Sequence, residues 1–194
     1  MNRALTTKEQ NYFVLASAEV EKVFKEWVIR SIQLSFEATK NGDGTPLSSF
    51  ILTSCAIDVL SGLLSGREIS RGSKKRSPNL GQDYMNFLRK YMRQYPANKT
   101  YKALRGSLVH NFSPRTDLLL IHANSNLHMK QGKSWVKKVL KRGLIINFEN
   151  FFEDFITAST SYFSDLQKSI DLKRKFLKHY RRFGFSGLKK TLLS

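Results

Sequence analysis

Cysteine occurs once in the 194 residues, at Cys55. A lone thiol excludes an internal disulfide framework and any zinc site built from several cysteines. Long apolar runs are missing as well. Those present are short and interrupted, so no membrane-spanning helix is expected. The first 30 residues carry Glu9, Glu19, Glu21 and Glu26 and lack the apolar centre of a signal peptide. No P-loop and no Ser/His/Asp pattern is present, and "GREISRGSKK" lacks the strand-and-helix setting of a phosphate loop. These absences point to a soluble, cytoplasmic protein. What is present argues for one ordinary domain, since 41% hydrophobic and 12% aromatic residues are too many for a disordered chain.

Acidic residues are the other shortage, and it is local. Residues 1–66 hold six Lys/Arg against seven Asp/Glu, a net of −1, whereas residues 67–194 hold 27 against eight, a net of +19. Such a concentration is the electrostatic footprint of a polyanion partner, most commonly nucleic acid.

Val20, Val23, Phe24 and Trp27 repeat at helical spacing and predict a first helix over 17–39, stopped by "NGDGTP" at 41–46. Leu52, Cys55, Ala56, Val59 and Leu63 form the stripe of a second. After a basic loop at 65–79, Tyr84, Phe87, Leu88, Tyr91, Met92 and Tyr95 mark the third, with Arg89, Lys90 and Arg93 on its other face and Pro96 at its end. The three tyrosines are expected in the core. Residues 101–114, "YKALRGSLVHNFSP", form a fourth helix. "DLLLIHA" and "LHMK" around "NSN" then predict a small hairpin, to which "GLIIN" (143–147) adds a third strand. The last helix starts near Glu149, with Phe148, Phe151, Phe152, Phe155, Ile156, Tyr162, Phe163 and Leu166 on one side. The expected architecture is all-α, a bundle of about five helices with a β-hairpin insertion near 116–147. Residues 1–172 form the domain and 173–194 a basic extension, which is expected to grip RNA first, a membrane surface or a docking partner being the alternatives.

Arginine and histidine are separated by four to six intervening residues three times: Arg105/His110, Arg115/His122 and Arg174/His179. Chance alone supplies about one such match in a chain of this composition. Context separates them. Arg115 and His122 fall on different elements, and Arg174 and His179 lie on an exposed basic helix. Arg105, in contrast, borders the buried stripe of Tyr101, Leu104, Leu108 and Phe112. A guanidinium at that margin needs a partner or an anionic ligand. Asp58, the sole acid of "CAIDVLSGLL", is the internal candidate. On an ideal α-helix Arg105 and His110 point about 140° apart. Acting together therefore requires the helix to end or unwind near Val109, or two chains to pair.

Three features, in this order, resemble the HEPN superfamily of helical ribonucleases: "CAIDVLSGLL", the aromatic helix "YMNFLRKYMRQY", and "YKALRGSLVHNF" with Arg105-x4-His110. The similarity spans about residues 15–170. Gly106 departs from it, because many active members carry a polar Asn, Asp or His after the arginine. The resemblance implies a HEPN-like bundle and metal-independent RNA cleavage at a homodimer interface, with no cofactor. It also implies a toxin or phage-defence effector, held in check by an antitoxin or regulatory protein. Arg105 and His110 would be the catalytic pair, supported by Asp58, Ser107 and Asn111. Arg67, Arg71, Lys74, Lys75, Arg76, Arg89 and Arg93 would hold the flanking RNA backbone. A non-catalytic HEPN-like module that binds RNA or a protein is the alternative. No metal site is expected: His122 and His128 lack a carboxylate pattern around them, and Cys55 reads as core.

Overall fold

Thr6 and Glu9 cap each other, the Thr6 side chain accepting from the Glu9 amide at 3.2 Å and the Glu9 carboxylate from the Thr6 amide at 3.0 Å. Helix α1 (Thr7–Val23) therefore starts ten residues before its apolar stripe suggests, and buries Phe13, Ala16 and Val20. The computed structural model describes residues 4–42, 46–67, 80–111, 118–123, 125–129 and 144–183. A π-helical turn, Phe24–Ile29, joins α1 to α2 (Arg30–Lys40). Its wider winding carries Trp27 off the buried face to 71% exposure, contrary to the stripe expected there.

Helix α3 (Pro46–Ser65) is the axis of the molecule, packed against α2, α4, α7 and α8. Its buried face is Ser49, Phe50, Thr53, Ser54, Ala56, Ile57, Leu60, Ser61 and Leu63. The stripe read from sequence is thus rotated, because Leu52, Val59 and Cys55 are exposed. Buried hydroxyls are tolerated because each finds a partner. Thr53 donates to the Ser49 carbonyl (2.8 Å), Ser61 to that of Ile57 (2.7 Å), and Ser54 meets the Tyr84 hydroxyl at 3.1 Å. Despite its interrupted sequence, α3 is long and apolar enough to cross a membrane by length and composition, with 56% of the qualifying window buried inside the bundle.

Helix α4 (Leu80–Tyr91) follows its predicted pattern: Tyr84, Phe87 and Leu88 are buried, as are Met92 and Tyr95 beyond its end. A short α5 (Ala97–Thr100) leads into a second π-helix, Tyr101–Leu108, which closes with α6 (Val109–Asn111). Gly81 lets this segment approach α4, since a Cβ there would lie 2.7 Å from the Tyr101 ring.

The expected hairpin is not formed. Strand β1 (Leu118–Ile121) pairs in parallel with β2 (Leu144–Asn147), Leu118 opposite Leu144. Of "LHMK", Leu127 instead closes a 3-10 turn at Ser125–Leu127, His128 and Met129 follow it, and Lys130 lies outside the described residues. The four residues of β2 are all buried, and continuous burial suits a parallel strand better than a hairpin arm.

Helix α7 (Phe148–Lys168) begins at the cap Asn147, whose side chain accepts from the Asn150 amide. Seven of its eight stripe residues are buried, with Ile156 half-buried. Extended backbone at Ser169 breaks the helix, and α8 (Ile170–Phe183) turns back over α3 and α1. Leu172, Phe176, Leu177 and Tyr180 join the core, so the 172/173 division read from sequence falls inside a packed helix. Residues 184–194 lie outside the described residues.

Candidate active site

The second π-helix answers the geometric problem of Arg105 and His110. Its hydrogen bonds run from residue i to i+5, as from the Val109 amide to the Leu104 carbonyl. Residues five apart then stack on one face, as residues four apart do in an α-helix. Arg105 Nη1 lies 3.0 Å from His110 Nε2, within one chain. Arginine has no acceptor, so it donates and Nε2 accepts.

Asp58 of α3 stands behind the pair. Its Oδ2 receives Nε and Nη2 of Arg105, both at 3.4 Å, leaving Nη1 for His110. The other oxygen, Oδ1, receives Arg67 at 3.3 and 3.4 Å, and Arg67 Nε reaches Asp83 Oδ2 at 2.9 Å. Two carboxylates thus balance two guanidiniums, an arrangement that suits partial burial. The side chains differ in access: Arg67 is 7% exposed, Arg105 21% and Asp58 20%. Arg67 was expected to grip the RNA backbone. Its burial and its two carboxylate partners make it a structural residue instead.

The other expected site residues divide. Ser107 is half-buried and Asn111 exposed, and among the described residues neither side chain bonds to Arg105 or His110. Arg89 is exposed on α4 and Arg93 is exposed just beyond its end, braced by Asn86 Oδ1 (3.1 Å) and the Lys90 carbonyl (3.3 Å) respectively. Arg71, Lys74, Lys75, Arg76 and Arg115 lie outside the described residues. At Gly106 an added Cβ would meet only the Tyr101 carbonyl at 3.7 Å, so packing leaves room for a side chain there.

Cys55, one turn before Asp58 on α3, is exposed rather than core. Crowding around its sulfur raises the thiol pKa, Arg105 pulls it down, and Asp58 pushes it up. It therefore senses the charges of this site. Leu52 and Val59, 39% and 40% exposed, extend an apolar strip on either side of it.

Two histidines are drawn into the fold, although His179 was read as lying on an exposed basic helix. His128 accepts the Asn147 amide at Nδ1 (3.1 Å), so Nε2 carries its proton toward the Tyr95 hydroxyl (3.0 Å). Tyr95 in turn donates to Asp154 Oδ2 at 2.6 Å. Burial lowers the His128 pKa, with Asp154 opposing, and burial first and Asp154 second raise that of Tyr95. His179 of α8 packs against Gly62 of α3 and donates from Nδ1 to the Arg67 carbonyl at 3.0 Å. Its pKa is lowered chiefly by burial. Neither signal was visible in the charge pattern, which reads α8 only as basic.

A cavity of about 550 Å³ lies elsewhere, bordered by Asp83, Lys90, Asp165, Lys168, Asp171 and Lys175 and not by Arg105 or His110. Among the described residues, Arg105 is partly exposed and His110 exposed. Compared with family models, curated proteins and solved structures, the chain matches none.

Proposed function

We propose that this chain is an endoribonuclease of HEPN type that cleaves RNA by 2′-hydroxyl attack, with no metal ion in the chemical step. The reading is carried by the approach of Arg105 Nη1 to His110 Nε2 on a partly open surface, with Asp58 holding the rest of the guanidinium. A phosphodiester arriving there competes with His110 for Nη1. Once the phosphate has taken it, the Nε2 lone pair is released to the 2′-hydroxyl. The imidazole accepts the 2′ proton, the O2′–P bond forms, and the P–O5′ bond breaks. The proton passes to the leaving 5′ oxygen, giving a 2′,3′-cyclic phosphate and a 5′-hydroxyl. Arg105 stabilises charge on the non-bridging oxygens through its planar fork. The surplus of +19 over residues 67–194 draws the RNA in, with Arg89 and Arg93 among its contacts.

The working form in this proposal is a homodimer. Leu52, Cys55 and Val59 form an exposed apolar strip beside the site, and a second copy covers it while bringing a second Arg105–His110 pair to the same RNA. A toxin or defence effector, silenced by a partner protein until needed, is the biological role this chemistry suits. Gly106 favours the second reading, a HEPN-like module that binds RNA or a protein without cutting. It leaves open space where a polar side chain would otherwise assist.

The test is direct. Purified protein with single-stranded and structured RNA in EDTA is expected to release fragments ending in cyclic phosphate. Cleavage that survives both Arg105→Ala and His110→Ala would sink the catalytic reading. Binding without cleavage would establish the second.

A further inference from the structure

Arg67 and Arg105 share Asp58, one on each carboxylate oxygen. Where Arg67 sits therefore decides how much of Asp58 is left for Arg105, and so which way Arg105 turns. Arg67 is fixed from three sides. Asp58 and Asp83 hold its guanidinium, and His179 of α8 holds its backbone through the carbonyl oxygen. His179 is itself seated by a missing side chain: a Cβ on Gly62 would lie 2.6 Å from the His179 ring. These contacts form one unbroken line from α8 to the candidate site, His179 to Arg67 to Asp58 to Arg105 to His110. No link is longer than 3.4 Å.

We propose that His179 and Arg67 are positioning residues for the Arg105–His110 site, so that α8 controls the aim of Arg105 without touching the reacting atoms. The proposal rests on the nuclease reading for its effect on cleavage, and on geometry alone for its effect on charge at the site. The link has a functional sense. Helix α8 also carries Lys173, Arg174, Lys178 and Arg181, so a polyanion bound along it presses on the helix that seats His179. Binding energy made at α8 can then favour the arrangement in which Arg105 meets the phosphate, since a ligand shifts a conformation by its differential affinity for two states.

Three substitutions test it in the full chain. His179→Leu removes the bond to the Arg67 carbonyl, His179→Asn keeps a donor near the Nδ1 position, and Asp83→Asn keeps side-chain size while releasing Arg67 toward Asp58. On a single-stranded RNA oligonucleotide, His179→Leu is expected to lower kcat about tenfold or more with little change in KM, as a misaimed catalytic group does. His179→Asn recovers most of that loss. A second readout needs no activity. Cys55 is the sole thiol and feels both Arg105 and Asp58, so the pH at which it is half-maximally alkylated reports on their balance. His179→Leu leaves Asp58 less neutralised and moves that midpoint up; Asp83→Asn neutralises Asp58 more and moves it down. Opposite shifts support the proposal. A midpoint unmoved in both variants, or moved the same way, overturns it, as does equal loss of kcat in His179→Leu and His179→Asn. Should the wild-type chain cut no RNA, the nuclease reading fails while the Cys55 shifts still decide the positioning role. Should His179→Leu not fold, the downward shift in Asp83→Asn decides it.

Discussion

Two clusters in this molecule combine a histidine, an aspartate and a third polar group, yet only one ends on an exposed side chain. In the Tyr95–His128–Asp154 chain every bond has a fixed direction, beginning at the Asn147 amide and ending at a carboxylate. Both nitrogens of His128 are engaged, and its side chain is 12% exposed. In the Asp58–Arg105–His110 cluster the order ends at the surface, on an exposed imidazole whose acceptor nitrogen is held, among the described residues, by Arg105 alone. A histidine network closed at both ends supports a fold; one with an open end can exchange an internal partner for an external one.

The contrast is broken most severely by deleting the open end. Arg105→Ala and His110→Ala are each expected to lower RNA cleavage about a hundredfold or more, on the scale of a lost general base or charge stabiliser. The thermal midpoint of His110→Ala stays near that of the parent, because His110 is exposed. Tyr95→Phe should do the reverse. It strands the part-buried Asp154 acceptor and His128 donor, at a cost of about 1 kcal/mol in denaturant titration, with cleavage per folded molecule unchanged.

A gentler probe is pH. The folded-state pKa of His128 lies below its ordinary 6.5, so the folded protein resists a proton that the unfolded chain accepts. The stability that this contributes is complete above about pH 6.5 and is lost as pH falls from there through the folded-state value. His179 is lowered as well and acts in the same direction. Chemical denaturation between about pH 8 and pH 5 should show falling stability, with a shallower slope in His128→Gln. The smallest effect is expected at Gly106→Asn. The open space there predicts a stability change within about 0.5 kcal/mol, so any gain in cleavage reports chemistry rather than folding.

How much of this was legible beforehand differs from helix to helix. The stripes of α4 and α7 were readable because one face is strongly apolar and the other charged, so that period alone assigns them. In α3 almost every residue is apolar or a small hydroxyl. Periodicity then has no contrast to work with, and the stripe was read on the wrong face. The start of α1 was written in Thr6-x-x-Glu9, a capping box that apolar spacing overlooks. Within the site, Asp58 and Arg105 were identified as partners because an isolated acid and a marginal arginine each need one, and they meet at 3.4 Å. Arg67 was misassigned because charge runs do not say which member turns inward. The parallel pairing of β1 with β2 depends on a crossover that no local pattern encodes.

The π-helical winding of Tyr101–Leu108 also speaks to how such a site tolerates insertion and deletion. Spacing and winding compensate each other: a five-residue step on an i→i+5 ladder and a four-residue step on an i→i+4 ladder both return a side chain to the same face. Removing one residue between Arg105 and His110, such as Ser107, would let the segment relax to an ordinary α-helix and still leave arginine beside histidine. The length of the gap between the two residues is then free to drift, provided the backbone changes its pitch with it.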